Sequence, residues 1–165
     1  MKYVLSICVS ICILMLGCGG TTSGVVKNNS GDVYRTNCIT ESTKDLLIRW
    51  GVYYDSTGTL YGYEIDANAR LWRYVASTKK SNYERDSIGT VSASQLCFFK
   101  DTVRNTFIKI QSLFVPAKTR HFIEYQNPAN QVSLRAMWDA RYQTYGSKEF
   151  RSIFDSLNTI GKVAN

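Results

Sequence analysis

The spacing of hydrophobic and polar positions changes period along the chain. From Leu46 to Tyr54, the residues Leu46, Ile48, Trp50, Val52 and Tyr54 fall at every second position. That is the period of a strand with one buried face. Asp55–Thr59 then reads as a turn, with Gly58 free to take positive φ. Leu60–Ile65 predicts a returning strand. Asp66–Ala69 predicts a second turn with Asn68 in the left-handed conformation, and Arg70–Ser77 a third strand. Lys79–Asn82 turns again, and Tyr83–Val91 predicts a fourth strand. Strands joined by such short connections form an antiparallel meander.

The period then lengthens. Leu96, Phe99, Val103, Phe107, Ile110 and Phe114 make one apolar stripe at helical spacing. Ser92 followed by Gln95 is a capping-box start, and Pro116 marks the expected end. Arg120–Tyr125 and Gln131–Tyr142 predict two more strands around Gln126–Asn130. In the second, Val132, Leu134, Ala136 and Trp138 alternate with polar residues. Ser147 predicts the cap of a last helix with Phe150, Ile153, Phe154, Leu157 and Ile160 as its buried stripe, and Gly161 its end. The expected fold is α+β: an antiparallel sheet of five to six strands, meander first, with both helices on one face and the other face open.

The first segment has a different character. After Lys2, nearly every residue from Val4 to Leu16 is apolar. The run is shorter than the ~20 residues of a membrane span and matches the roughly 7–15 residues of a secretory h-region. Met15-Leu16-Gly17-Cys18 resembles the lipobox of bacterial lipoproteins, with an aliphatic residue three before the cysteine and a small one directly before it. The resemblance implies that residues 1–17 are a cleaved signal peptide and that Cys18 becomes a diacylglyceryl-modified N-terminus. It covers only about the first 20 residues, with Met15 standing where Leu is commoner. Two or three acyl chains hold a protein on a membrane where one binds only marginally. Gly19, rather than Asp, follows Cys18. By the same resemblance, a Gram-negative source would place the protein at the outer membrane, facing the periplasm. Residues 18–32, rich in Gly, Ser, Thr and Asn, read as a flexible tether, and residues 33–165 as a single domain.

Composition narrows the reading further. The chain has 165 residues, a net charge of +7 and 44% hydrophobic residues, enough apolar material for a packed core. The basic residues are scattered rather than clustered, which argues against a nucleic-acid partner. Cys8 and Cys12 lie in the signal segment. Cys38 and Cys97 are left as a candidate disulfide in an oxidising compartment, two separate buried thiols being the alternative.

Candidate chemistry is sparse. The single histidine, His121, lies in a predicted strand, and no serine sits in a G-x-S-x-G elbow. No metal-binding spacing occurs, and no cofactor is expected. Asp66-Ala67-Asn68 starts like a calcium loop without the later ligands. Glu64, Asp66, Glu124 and Asp139 include possible carboxylate pairs, but spacing selects none of them. The aromatic surplus is more informative: 11 tyrosines and 3 tryptophans. Tyr53, Tyr142 and Tyr145 belong to it. Trp72, Tyr74, Tyr61, Tyr63 and Arg49, with Arg70 and Arg73 nearby, form an expected binding face on the open side of the sheet, because Tyr, Trp and Arg are enriched in interface hot spots. The plainer reading is that these rings cover the back of the core. The function expected is therefore a non-enzymatic, lipid-anchored envelope module for a protein, peptide or glycan partner. The alternatives are a structural accessory of an envelope complex and a small hydrolase.

Overall fold

The computed structural model describes residues 38–79, 82–111 and 113–163. The expectations for Cys18, the signal segment and the tether lie outside these residues. A 3-10 turn at Glu41–Thr43 leads into β1 (Leu47–Tyr54), β2 (Thr59–Asp66), β3 (Arg70–Ser77) and β4 (Asn82–Thr90). Helix α1 (Ala93–Ile110) follows. Then come β5 (Leu113–Phe114), β6 (Thr119–Asn127), a 3-10 turn at Pro128–Asn130, β7 (Val132–Asp139) and helix α2 (Ser147–Val163).

The fold is α+β, with one seven-stranded sheet in the order β4-β3-β2-β1-β6-β7-β5. It is wider than the five to six strands expected, and it is mixed, because β5 pairs parallel with β7. That pair arises where α1 stops short of the position expected from Pro116. Gln111 takes a positive φ of 65° with ψ −80°, outside any helical region, and donates its N–H to the Phe107 carbonyl. The chain then reverses, Leu113 pairs with Ala136, and Phe114 with Met137. Phe114 therefore leaves the helical stripe and stands exposed.

The other end of α1 forms as its sequence predicts. The Ser92 hydroxyl accepts from the Gln95 N–H, and the Gln95 side chain accepts from the Ser92 N–H, so two otherwise unpaired donors are satisfied. Both helices cover the same face. Leu96, Phe99, Val103 and Phe107 of α1 share one core with Phe150, Ile153, Phe154 and Leu157 of α2. Ile48 and Trp50, Ile65, Leu71, Ile123, and Ala136 and Trp138 complete it from β1, β2, β3, β6 and β7. Fully burying side chains of this size contributes about 1.5–3 kcal/mol each.

Two small features differ from expectation. In the turn after β2, Ala69 rather than Asn68 is left-handed, at φ 61°. The Asp66 carboxylate sets this geometry by accepting the N–H groups of Asn68 and Arg70. Gly161 does not end α2, which continues to Val163. It is buried, and a Cβ there would lie 2.8 Å from the Tyr63 ring.

Cys38 and Cys97 are joined by a disulfide. The bridge fixes the start of the described chain to the second turn of α1. Its ends are 59 residues apart, for which chain entropy gives a stabilisation of ~4 kcal/mol.

Candidate functional site

Residues paired across a sheet share a face, so the register decides which expected site residues meet. Arg49 pairs with Glu64 on one side and with Glu124 on the other. Glu124 pairs in turn with Arg135, and Glu64 with Trp72. This row crosses the face away from the helices. Arg49 Nε donates to Glu64 Oε2 at 2.6 Å, and Arg135 Nη2 to Glu124 Oε1 at 2.8 Å. Arg85 reaches from β4 over the Trp72 ring, with Cζ 4.3 Å from its centroid, to donate to Glu64 Oε1 at 2.8 Å. The Tyr83 hydroxyl also donates to Glu64 and the Gln126 amide to Glu124.

Both carboxylates are buried, Glu64 completely. Buried charge is costly unless its partners and hydrogen bonds are complete, and here arginine alternates with glutamate along the row. Burial works against the Arg49 charge, but Glu64 more than offsets it and raises the guanidinium pKa above its ordinary value. Tyr74 is buried beneath Arg49, and that burial drives its hydroxyl well above the usual phenol range. Tyr53, Leu60, Tyr74, Phe122 and Met137 form a second small apolar cluster on this face. The face expected to be open is therefore closed by its own side chains. Arg49, Trp72 and Tyr74 belong to this closure.

Tyr61 and Tyr63 do not join them, which corrects the expected five-residue face. They pair with Val52 and Trp50 and so stand on the helix side. Strand β2 carries aliphatic residues on both faces, Leu60 on one and Ile65 on the other. Its own pattern therefore does not orient it.

On the helix side, α2 does not cover the far ends of β1–β3, and a cleft of about 370 Å³ remains. Val52, Tyr61, Tyr63, Arg73 and Val75 rise from the sheet. Phe154, Asp155 and Asn158 of α2 form one wall, and His121 closes one end. Tyr61 is 51% exposed and meets exposed Tyr54 edge-on, with centroids 5.9 Å apart. His121 stacks on Phe154 at 4.3 Å and meets Trp138 edge-on. Burial, and then the nearby Arg151 charge, lower its pKa below the ordinary 6.5. Gly51 and Gly62 face each other beside the cleft, where a Cβ on either would lie 2.1 Å from the opposite strand's carbonyl oxygen. This close approach needs glycine on both strands.

The remaining candidates are engaged elsewhere. Asp66 accepts from the Trp72 indole N–H at 3.1 Å. Asp139 is held by Arg141, whose hydrogen bonds keep the carboxyl below its ordinary pKa. Asp139 pairs with Arg120, four residues along β6 from Glu124, a separation of about 13 Å at strand rise. These two carboxylates therefore do not converge. Arg70 is exposed at the start of β3, and Tyr142 and Tyr145 are exposed after β7. Among the described residues, no group of three or more His, Cys, Asp or Glu side chains could hold a metal ion. No described helix is long and apolar enough to cross a membrane.

The chain matches no known protein-family model, and no curated protein matches it in sequence. Of the cleft residues, the sequence reading singled out Tyr61, Tyr63, Arg73 and His121. It missed Asp155 and Asn158 as site residues. Their only sequence signal is that they flank the Phe154–Leu157 stripe on α2, on the side that turns toward the uncovered sheet.

Proposed function

We propose that this protein is a lipid-anchored, non-enzymatic binding module of the bacterial cell envelope, and that its partner occupies the cleft between α2 and the ends of β1–β3. The observation that carries the reading is a strip of sheet left uncovered on the helix side and paved with tyrosine. Large rings left exposed beside a concave surface are a recurrent feature of binding sites. The lipobox-like Cys18 supplies the anchor.

The placement of the disulfide supports this arrangement. Cys38 is tied to α1 near the end of the sheet where β1 begins, whereas Val52 and Tyr61 lie five residues further along the strands, about 17 Å at strand rise. Cys38 follows Cys18 by 20 residues. The cleft is thus directed away from the end of the domain that carries the anchor.

Two measurements test the proposal. Cys18→Ser should abolish labelling of the protein by a fatty-acid analogue in cells, and persistent label would refute the anchor. A photocrosslinking residue at Val75 in the full-length protein should capture an envelope component, while one at Ser87 on the opposite face should not. Equal capture at both positions, or none at Val75, would remove the cleft from the proposal.

A further inference from the structure

We infer that the cleft binds a neutral glycan, held as a short run of sugar rings lying on Tyr61. This deepens the proposed function and rests on it.

The cleft offers no free sheet edge. Its sheet residues come from β1, β2, β3 and β6, each of which has a neighbouring strand on both sides. Their main-chain N–H and C=O groups are therefore committed to the sheet. An extended peptide docks on a sheet most readily by pairing with a free edge, and the edge strands β4 and β5 do not line this cleft. A peptide here would leave most of its own main chain without partners, at a cost for each buried group.

The cleft presents an aromatic ring beside polar side chains. Sugar rings offer an apolar C–H face and a rim of hydroxyls, each of which both donates and accepts. Tyr61 supplies a half-exposed ring as a platform. Asp155 and Asn158 line the wall at i and i+3 on α2, so they point the same way. A carboxylate accepts from adjacent hydroxyls, and an amide both donates and accepts. Neither side chain makes a hydrogen bond or salt bridge to another described residue.

The cleft carries no excess of positive charge. Arg73 at the lip lies 3.9 Å from Asp86, Asp155 carries the opposite sign across the cleft, and burial disfavours a charge on His121. With no surplus of positive charge, the site does not select a uronate or sulfated chain.

The test uses the full-length protein with chito-, cello- and malto-oligosaccharides of four to six units, heparin fragments, and an array of extended peptides. Ligand-observed saturation-transfer NMR and titration calorimetry give the readout. At least one neutral oligosaccharide should bind, and Tyr61→Ala and Asn158→Ala should each weaken it about tenfold, while Tyr142→Ala changes nothing. If only peptides or heparin bind, and do so in a Tyr61-dependent way, the glycan assignment is overturned and the binding cleft stands. If nothing binds in a Tyr61-dependent way, both the glycan assignment and the cleft are overturned.

Discussion

Arg49 donates from Nε to a Glu64 carboxylate oxygen 2.6 Å away, and that carboxylate is entirely withdrawn from water. Arg49 also faces Glu124 on the opposite neighbouring strand, at 3.9 Å. One guanidinium is thus shared by two buried acids, which have Arg85 and Arg135 as their second arginine partners. We predict that Arg49→Met lowers the unfolding free energy in urea by about 3 kcal/mol, because it takes a shared partner from two buried carboxylates and leaves each with one arginine. Arg73→Met removes only an exposed pair with Asp86 and should cost under about 0.5 kcal/mol. Similar losses from the two variants would refute this view of the row.

Gly161 invites a different substitution. In an ordinary helix, Gly→Ala gains about 1 kcal/mol. Here the new methyl would lie 2.8–2.9 Å from three carbons of the Tyr63 ring. That ring is already stacked on Trp50 at 5.5 Å, so it cannot move freely. The expected net result for Gly161→Ala is a loss of about 1–2 kcal/mol. Tyr63→Leu should make the same substitution neutral or favourable. A stabilised Gly161→Ala single variant would show that the contact yields.

His121 gives the chain a pH response. Its folded pKa lies below 6.5 because burial disfavours the charged ring, with Arg151 adding to the effect and Asp155 and Asp139 opposing it. The unfolded chain therefore binds the proton more readily than the folded one. Stability must then rise with pH through the window just below 6.5 and fall as the solution is acidified through it. His121→Phe keeps a ring against Phe154 and removes the only imidazole in the chain. Thermal midpoints between pH 5 and 7 should slope upward in the natural protein and flatten in the variant. An unchanged slope would assign the effect to carboxylates.

The features legible in the sequence are those set by neighbours along the chain. Ser92 and Gln95 marked the start of α1 because a capping box is a four-residue pattern. Arg70–Ser77 was bounded correctly because turn residues flank it. Apart from the Cys38–Cys97 pair, features set by distant partners were not legible. Nothing local to Glu64 or Glu124 states that Arg49 lies between them, since that depends on how β1 aligns with β6. Strand β2 was turned the wrong way round because Leu60 and Ile65 give equal aliphatic signals on opposite faces. Phe114 fitted the helical stripe by spacing, but a positive φ at Gln111 ended the helix first. Gly161 looked like a terminator because the ring it accommodates is far away in sequence.

The strand order has a consequence for how the chain reaches this state. The meander β1–β4 closes through turns of a few residues, whereas β1 and β6 meet along a seam whose partners, such as Arg49 and Gln126, are 77 residues apart. Closing so long a loop costs entropy before any contact compensates it. We predict that the meander forms early and that the seam zips last, so the buried acids pair on the downhill side of the barrier. Glu124→Gln should then speed unfolding while leaving the refolding rate nearly unchanged, and substitutions in the Asp66 turn should slow refolding. Stopped-flow measurements in urea separate the two limbs, and a refolding rate sensitive to Glu124→Gln would reverse the order. On this pathway the arginine–glutamate row acts as a latch, setting how long the folded domain lasts rather than how fast it forms.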